Sequence, residues 1–99
     1  MLTGKQRSYL KKLAQETEPA VYIGKAGLTD SIIDEIERNI DVNELIKCQI
    51  QKGTGLDPKD TCNEVAEAID AEFVQAIGRR FVLYRKAREP QNRKIIIPK

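Results

Sequence analysis

Apolar residues recur along this chain in two periods, and the changes of period mark the elements. Tyr9, Leu10, Leu13 and Ala14 fall at helical spacing behind Thr3-Gly4-Lys5-Gln6, which has the Thr-x-x-Gln form of a capping box. Pro19 ends this first helix by about Glu18, because the residue before a proline avoids the helical region. Val21-Tyr22-Ile23 follows as a short strand. Ile32, Ile33, Ile36 and Ile40 then form one stripe at i, i+1, i+4 and i+8, which predicts a second helix from about Asp30 to Ile40 with Thr29 as its N-cap. From Leu45 to Gln51 the period becomes two, with Ile46, Cys48 and Ile50 on one face and Lys47, Gln49 and Gln51 on the other.

A loop, Gly53-Thr54-Gly55-Leu56-Asp57-Pro58, precedes a third helix. Its inward stripe is Cys62, Val65, Ala66 and Ile69, with Thr61-Cys62-Asn63-Glu64 as a second capping box and an end near Ala71. Phe73 to Ile77 and Arg80 to Arg85 read as a hairpin turned at Gly78-Arg79. Phe81-Val82-Leu83-Tyr84 is apolar at odd and even positions alike, so the last strand belongs inside the sheet. Beyond Arg88, Glu89 to Arg93 reads as a polar linker, and Ile95-Ile96-Ile97 as a short edge segment. The order is helix, strand, helix, strand, helix, strand, strand. Two strand–helix–strand crossovers give three parallel strands and the hairpin adds an antiparallel one. The expected fold is α+β, or a two-layer α/β arrangement, with a mixed four-stranded sheet in a single domain spanning residues 1–99.

Composition changes this picture little, and charge changes it more. The chain is 40% hydrophobic with a net charge of +2. Divided along its length, residues 1–27 carry +3, residues 28–52 carry −3, residues 53–78 carry −5 and residues 79–99 carry +7. Two basic ends around an acidic middle suit a molecule with one side turned to a polyanion. There is no histidine, which removes the commonest general base, and the carboxylates of helices two and three read as solvated faces. Cys48 and Cys62 without histidine make no usual zinc set and read as buried core residues. No enzyme, metal or cofactor is expected. No apolar run long enough for a signal peptide or a membrane span is evident, so a soluble, cytoplasmic location is expected.

Candidate chemistry concentrates in Gly24-Lys25-Ala26-Gly27, between the first strand and the second helix. Glycines there let backbone amides approach a phosphate, with Lys25 adding charge at the tip. The same residues also fit a plain tight turn with an exposed lysine. Lys5 and Lys12, one heptad apart on the first helix, together with Lys11, and Arg79, Arg80, Arg85 and Lys86 around the hairpin, extend a basic surface.

Five blocks fall in one order: Leu2 to Gln6, Leu13-Ala14, Ile23 to Gly27, Glu44 to Lys47 and Ile77 to Arg85. In this the chain resembles the CRM domain (chloroplast RNA splicing and ribosome maturation) over about residues 2–88, in the form of the stand-alone bacterial YhbY-like proteins. The resemblance implies RNA binding, a fold similar to the C-terminal domain of bacterial translation initiation factor three, and association with precursors of the large ribosomal subunit. It places the family's Gly-x-x-Gly loop on Gly24, Lys25, Ala26 and Gly27, with alanine where many relatives have glycine. Tyr22 and Tyr84 suit core packing better than stacking, so recognition of RNA shape and backbone is expected, with structured ribosomal RNA as partner. A different reading makes the acidic middle segment a docking site for a basic ribosomal protein or assembly factor.

Overall fold

The computed structural model describes residues 2–99. Helix α1 (Gly4–Gln15) starts at the expected capping box. The Thr3 hydroxyl accepts from the Gln6 amide at 3.1 Å, and the Gln6 side chain accepts from the Thr3 amide at 3.0 Å. Strand β1 (Pro19–Ile23), helix α2 (Asp30–Asn43), strand β2 (Leu45–Ile50), helix α3 (Pro58–Ile69), strand β3 (Glu72–Ile77) and strand β4 (Arg80–Tyr84) follow. The sheet order is β1-β2-β4-β3. β1 and β2 pair in parallel, and β4 lies antiparallel between β2 and β3, so β1, β2 and β3 run the same way. The two-faced apolar pattern of Phe81 to Tyr84 has its cause here, because β4 has helices above and below it.

Helices α2 and α3 cover one face. Ile36 and Ile40 of α2 and Cys62, Val65 and Ile69 of α3 pack on Val21, Ile23, Cys48, Ile50, Phe81 and Leu83. Isoleucine is a poor intrinsic helix former, costing up to about 0.7 kcal/mol against alanine. Burying one contributes roughly 1.5–3 kcal/mol, so the stripe decides in favour of the helix. Helix α1 covers the opposite face, where Leu10 and Ala14 meet Leu45, Val74, Val82 and Tyr84. A bulge between Phe73 and Gln75 lets Phe73 and Ala76 face α3 while Val74 turns to α1.

Three expectations need correction. Helix α3 begins at Pro58 with Asp57 as its N-cap, whose carboxylate accepts from the Asp60 amide at 2.9 Å, and Thr61 is buried within the helix. Asp-Pro serves both roles at once: a strong cap followed by a residue whose fixed φ suits the first turn. Helix α2 runs past its last stripe residue, Ile40, to Asn43, held there by an ion pair between Asp41 and Arg85. The C-terminal segment forms a single 3-10 turn (Pro90–Asn92) and adds no strand to the sheet. Instead Ile95 and Ile97 pack on the α1 side while Ile96 faces solvent.

Glu44 explains that docking. It sits between α2 and β2 with φ at +65°, and its side chain is buried. Its carboxylate accepts from the amides of Ala87 (2.9 Å), Lys94 (2.6 Å) and Ile95 (2.9 Å). Burial by itself would push this carboxyl up, but the three N–H donors and nearby Arg93 outweigh it and hold the group below its ordinary value. One carboxylate thereby fastens the C-terminal strap to the sheet.

Candidate nucleic-acid interface

The Gly24 loop is a four-residue turn closed by the Gly27 amide donating to the Gly24 carbonyl at 2.9 Å, with Lys25 and Ala26 exposed at its tip. Gly27 has φ at +74°, which only glycine adopts freely. Gly24 is under a milder constraint: a Cβ there would stand 3.1 Å from the Gln51 side-chain oxygen, the movable end of an exposed side chain. Ala26 takes neither role. Among the described residues the non-glycine positions with positive φ are Glu44 and Asp70, so the tip has a backbone that alanine adopts without strain. The Lys25 and Ala26 amides donate to no group among the described residues. Asp30, in the first turn of α2, already sets a carboxylate at that helix's N-terminus, so an incoming anion is better served by the turn than by the helix.

Three connections meet at this end of the sheet. The Gln51 amide donates to the Ile23 carbonyl at 2.8 Å, and the Ile50 amide donates to the Arg79 carbonyl at 2.7 Å. The Gly24 turn, the Gln51-Lys52-Gly53 loop and the Gly78-Arg79 turn therefore lie side by side. Lys25, Lys52, Arg79 and Arg80 are exposed, and among the described residues none has a carboxylate partner. Arg80 is steadied by its Nε donating to the Gln49 side-chain oxygen at 3.1 Å. Sequence reasoning missed Lys52. The signal was present, because parallel neighbours β1 and β2 must end together and their following loops must be adjacent.

The remaining predicted residues separate. Lys11 lines a depression along the free edge of β3 with Arg7, Lys59, Val74 and Gln75, and the Arg7 Nε donates to the Phe73 carbonyl at 3.2 Å. Cations along an edge strand also discourage pairing with another chain. Lys5 and Lys12 are exposed on the side of α1 turned away from Leu10 and Ala14. Lys86 follows the far end of β4, beside Glu44 and Tyr84. At the rise of an extended chain that is roughly 20 Å from Arg80.

Arg85 does not share the exposure of the other predicted cations. It is buried, pairs with Glu37 at 2.9 Å and with Asp41, and donates to the Ile69 carbonyl at 2.7 Å. Helix α3 has no basic residue in its last turn, and Arg85, the residue after β4, supplies that charge while tying α3 to α2. Burial would lower its pKa, yet hydrogen bonds to Glu37 and Asp41 leave it raised, so it stays charged. Tyr22 also departs from expectation, being 52% exposed where core packing was expected, whereas Tyr84 is buried.

The acidic segments occupy the other layer. Asp60, Glu64, Glu67 and Asp70 are exposed on and just after α3. Both cysteines are free, and burial pushes each thiol up to about 12, which makes them inert packing groups. Among the described residues no cluster of His, Cys, Asp or Glu could hold a metal ion, and no helix is long and apolar enough to cross a membrane.

Comparison with known proteins identifies the family. The pattern of the CRS1 / YhbY (CRM) domain matches residues 2–85. The chain belongs to the CRM domain family. "Probable RNA-binding protein YqeI" of Bacillus subtilis is 33% identical over 98 residues, covering 99% of this chain and 100% of its own. A Haemophilus influenzae protein named "RNA-binding protein" is 35% identical over 88 residues, covering 89% of each. The solution structure of the hypothetical protein SAV1595 from Staphylococcus aureus superposes with a TM-score of 0.80 at 36% identity, covering 99% of this chain and 100% of that one. The two sequence relatives thus carry RNA-binding names, and the solution structure shares the fold built above.

Proposed function

We propose that this chain is a non-enzymatic RNA-binding protein that grips structured RNA at the Gly24 end of its sheet. One observation carries the reading: two turn amides and four cations, none with a partner acceptor or carboxylate among the described residues apart from the Gln49 contact of Arg80, meet at one end of the sheet from three connections and the start of β4. Such groups bind phosphate and fix position, and they read little sequence. The acidic layer of α2 and α3 repels a polyanion and so orients it toward the opposite side. Large-subunit ribosomal RNA, and a part in assembling that subunit, fit a shape-reading surface of this kind. Arg85 drops out of the surface, and Lys52 joins it.

The test is RNA affinity measured against salt. Lys25→Ala with Arg79→Ala should weaken binding and flatten the slope of log affinity against log salt by roughly 0.7–0.9 for each phosphate that is no longer neutralised. Unchanged affinity and slope would remove this surface from consideration. The second reading rests on the exposed carboxylates of α3, which suit a basic protein. Association with pre-ribosomal proteins that survives nuclease treatment would favour it, and its disappearance on treatment favours RNA.

A further inference from the structure

The face of the sheet that α1 covers is open at its last rung, beside the Gly24 turn. Register puts Tyr22 of β1 opposite Gln49 of β2, Gln49 opposite Arg80 of β4, and Arg80 opposite Ile77 of β3. All four stand on the α1 side, since their neighbours Val21, Ile23, Cys48, Ile50, Phe81 and Ala76 point into the α2–α3 core. Tyr22 is 52% exposed and Ile77 is 68% exposed, in a row where packing accounts for neither. The tyrosine hydroxyl has no partner among the described residues. The Arg80 Nε is anchored on Gln49, which leaves both terminal nitrogens without partners among the described residues. Gln49, Ile77, Arg79 and Arg80 line a shallow depression of about 490 Å³.

We propose that this rung is a platform for an unpaired RNA base, reached by a strand whose phosphate sits on the Lys25-Ala26 turn. The inference rests on the RNA-binding reading above and adds a base contact to it. An aromatic ring and an anchored planar guanidinium in one row supply the stacking surfaces that a base needs, with the exposed Ile77 adding apolar contact beside Arg80. The turn directly follows Tyr22 and Ile23 in the chain, so one nucleotide's phosphate and base can engage turn and rung together. Charge selects the occupant. The rung's surroundings, Lys25, Lys47, Arg79 and Arg80, are basic, which suits a nucleic acid strand and opposes a second copy of this equally basic face.

The experiment uses an RNA hairpin with a uridine loop, and the same hairpin with abasic residues in the loop, titrated by fluorescence anisotropy. Tyr22→Ala should weaken binding of the uridine hairpin by roughly tenfold, within the range found when base–aromatic stacking is removed. It should leave the abasic hairpin and the salt slope unchanged, and Tyr22→Phe should bind as the parent does. Lys25→Ala, by contrast, should weaken both hairpins and flatten the slope. If Tyr22→Ala binds both hairpins like the parent while Lys25→Ala does not, the platform is wrong and the phosphate site stands. If neither substitution matters, both readings fall. A parent protein that sediments as a dimer, with Tyr22→Ala monomeric, would assign the face to a second copy and overturn the proposal.

Discussion

Gly24 and Gly27, at the two ends of one turn, have different physical duties. Gly27 occupies a backbone region that costs an L side chain about 1–2 kcal/mol, with open space around it. Gly24 faces the movable end of the Gln51 side chain. Gly27→Ala should therefore lower stability by about 1 kcal/mol, with Gly24→Ala affected less, in chemical denaturation. An equal or reversed order would contradict the turn geometry. The pairing of glycines was legible in the sequence, and so was Lys25 between them. Arg85 was not. It follows four apolar residues and resembles Arg79 and Arg80 in every local respect, and only the meeting of α2, α3 and β4 shows that it closes an ion cluster with Glu37 and Asp41. Removing one partner of a buried pair costs about 3–5 kcal/mol, and the partly exposed carboxylates place Arg85→Ala near the lower end. It should melt well below the parent protein while any folded fraction keeps its RNA affinity.

At the scale of elements, capping chemistry separated what could be read from what could not. The first capping box was legible because Thr3 and Gln6 have no competitor nearby. At α3 two signals competed, and Asp57-Pro58 prevailed over Thr61-Cys62-Asn63-Glu64 because Thr61 is taken into the core. The strap of residues 94–97 could not be placed from its own sequence, since the group that holds it, Glu44, lies fifty residues earlier. Glu44 also makes a pH prediction. Its folded pKa lies below the unfolded value of about 4.3, so its contribution to stability is complete above that pH and is lost as pH falls through the folded pKa. Glu44→Gln keeps an oxygen for Lys94 and Ile95 but turns an amide nitrogen toward the Ala87 N–H. It should cost about 2 kcal/mol near neutral pH, in line with charged hydrogen bonds, and remove this part of the acid loss. Parallel stability–pH curves for parent and variant below pH 5 would refute the assignment.

For the molecule as a whole, the +3, −3, −5, +7 division along the chain becomes a division in space only in part, because Arg85 and Arg88 of the basic last segment pair with carboxylates of α2. The crossovers set the acidic helices α2 and α3 on one face and leave Lys25, Lys52, Arg79 and Arg80 at one end of the sheet. The three parallel strands and the interior place of β4 were legible from pattern and connection rules. The composition of the basic surface was legible only in part, because it depends on which loops the parallel pairing of β1 and β2 brings together. The most direct test of the central claim is a titration of the isotope-labelled protein with a structured RNA, following every backbone amide by NMR. Shifts should concentrate on Gly24 to Gly27, Gln51 to Gly53 and Gly78 to Arg80, with Lys86 and the exposed face of α3 little changed. Shifts that cluster at Lys86 and the C-terminal strap, leaving the Gly24 turn unmoved, would contradict the account.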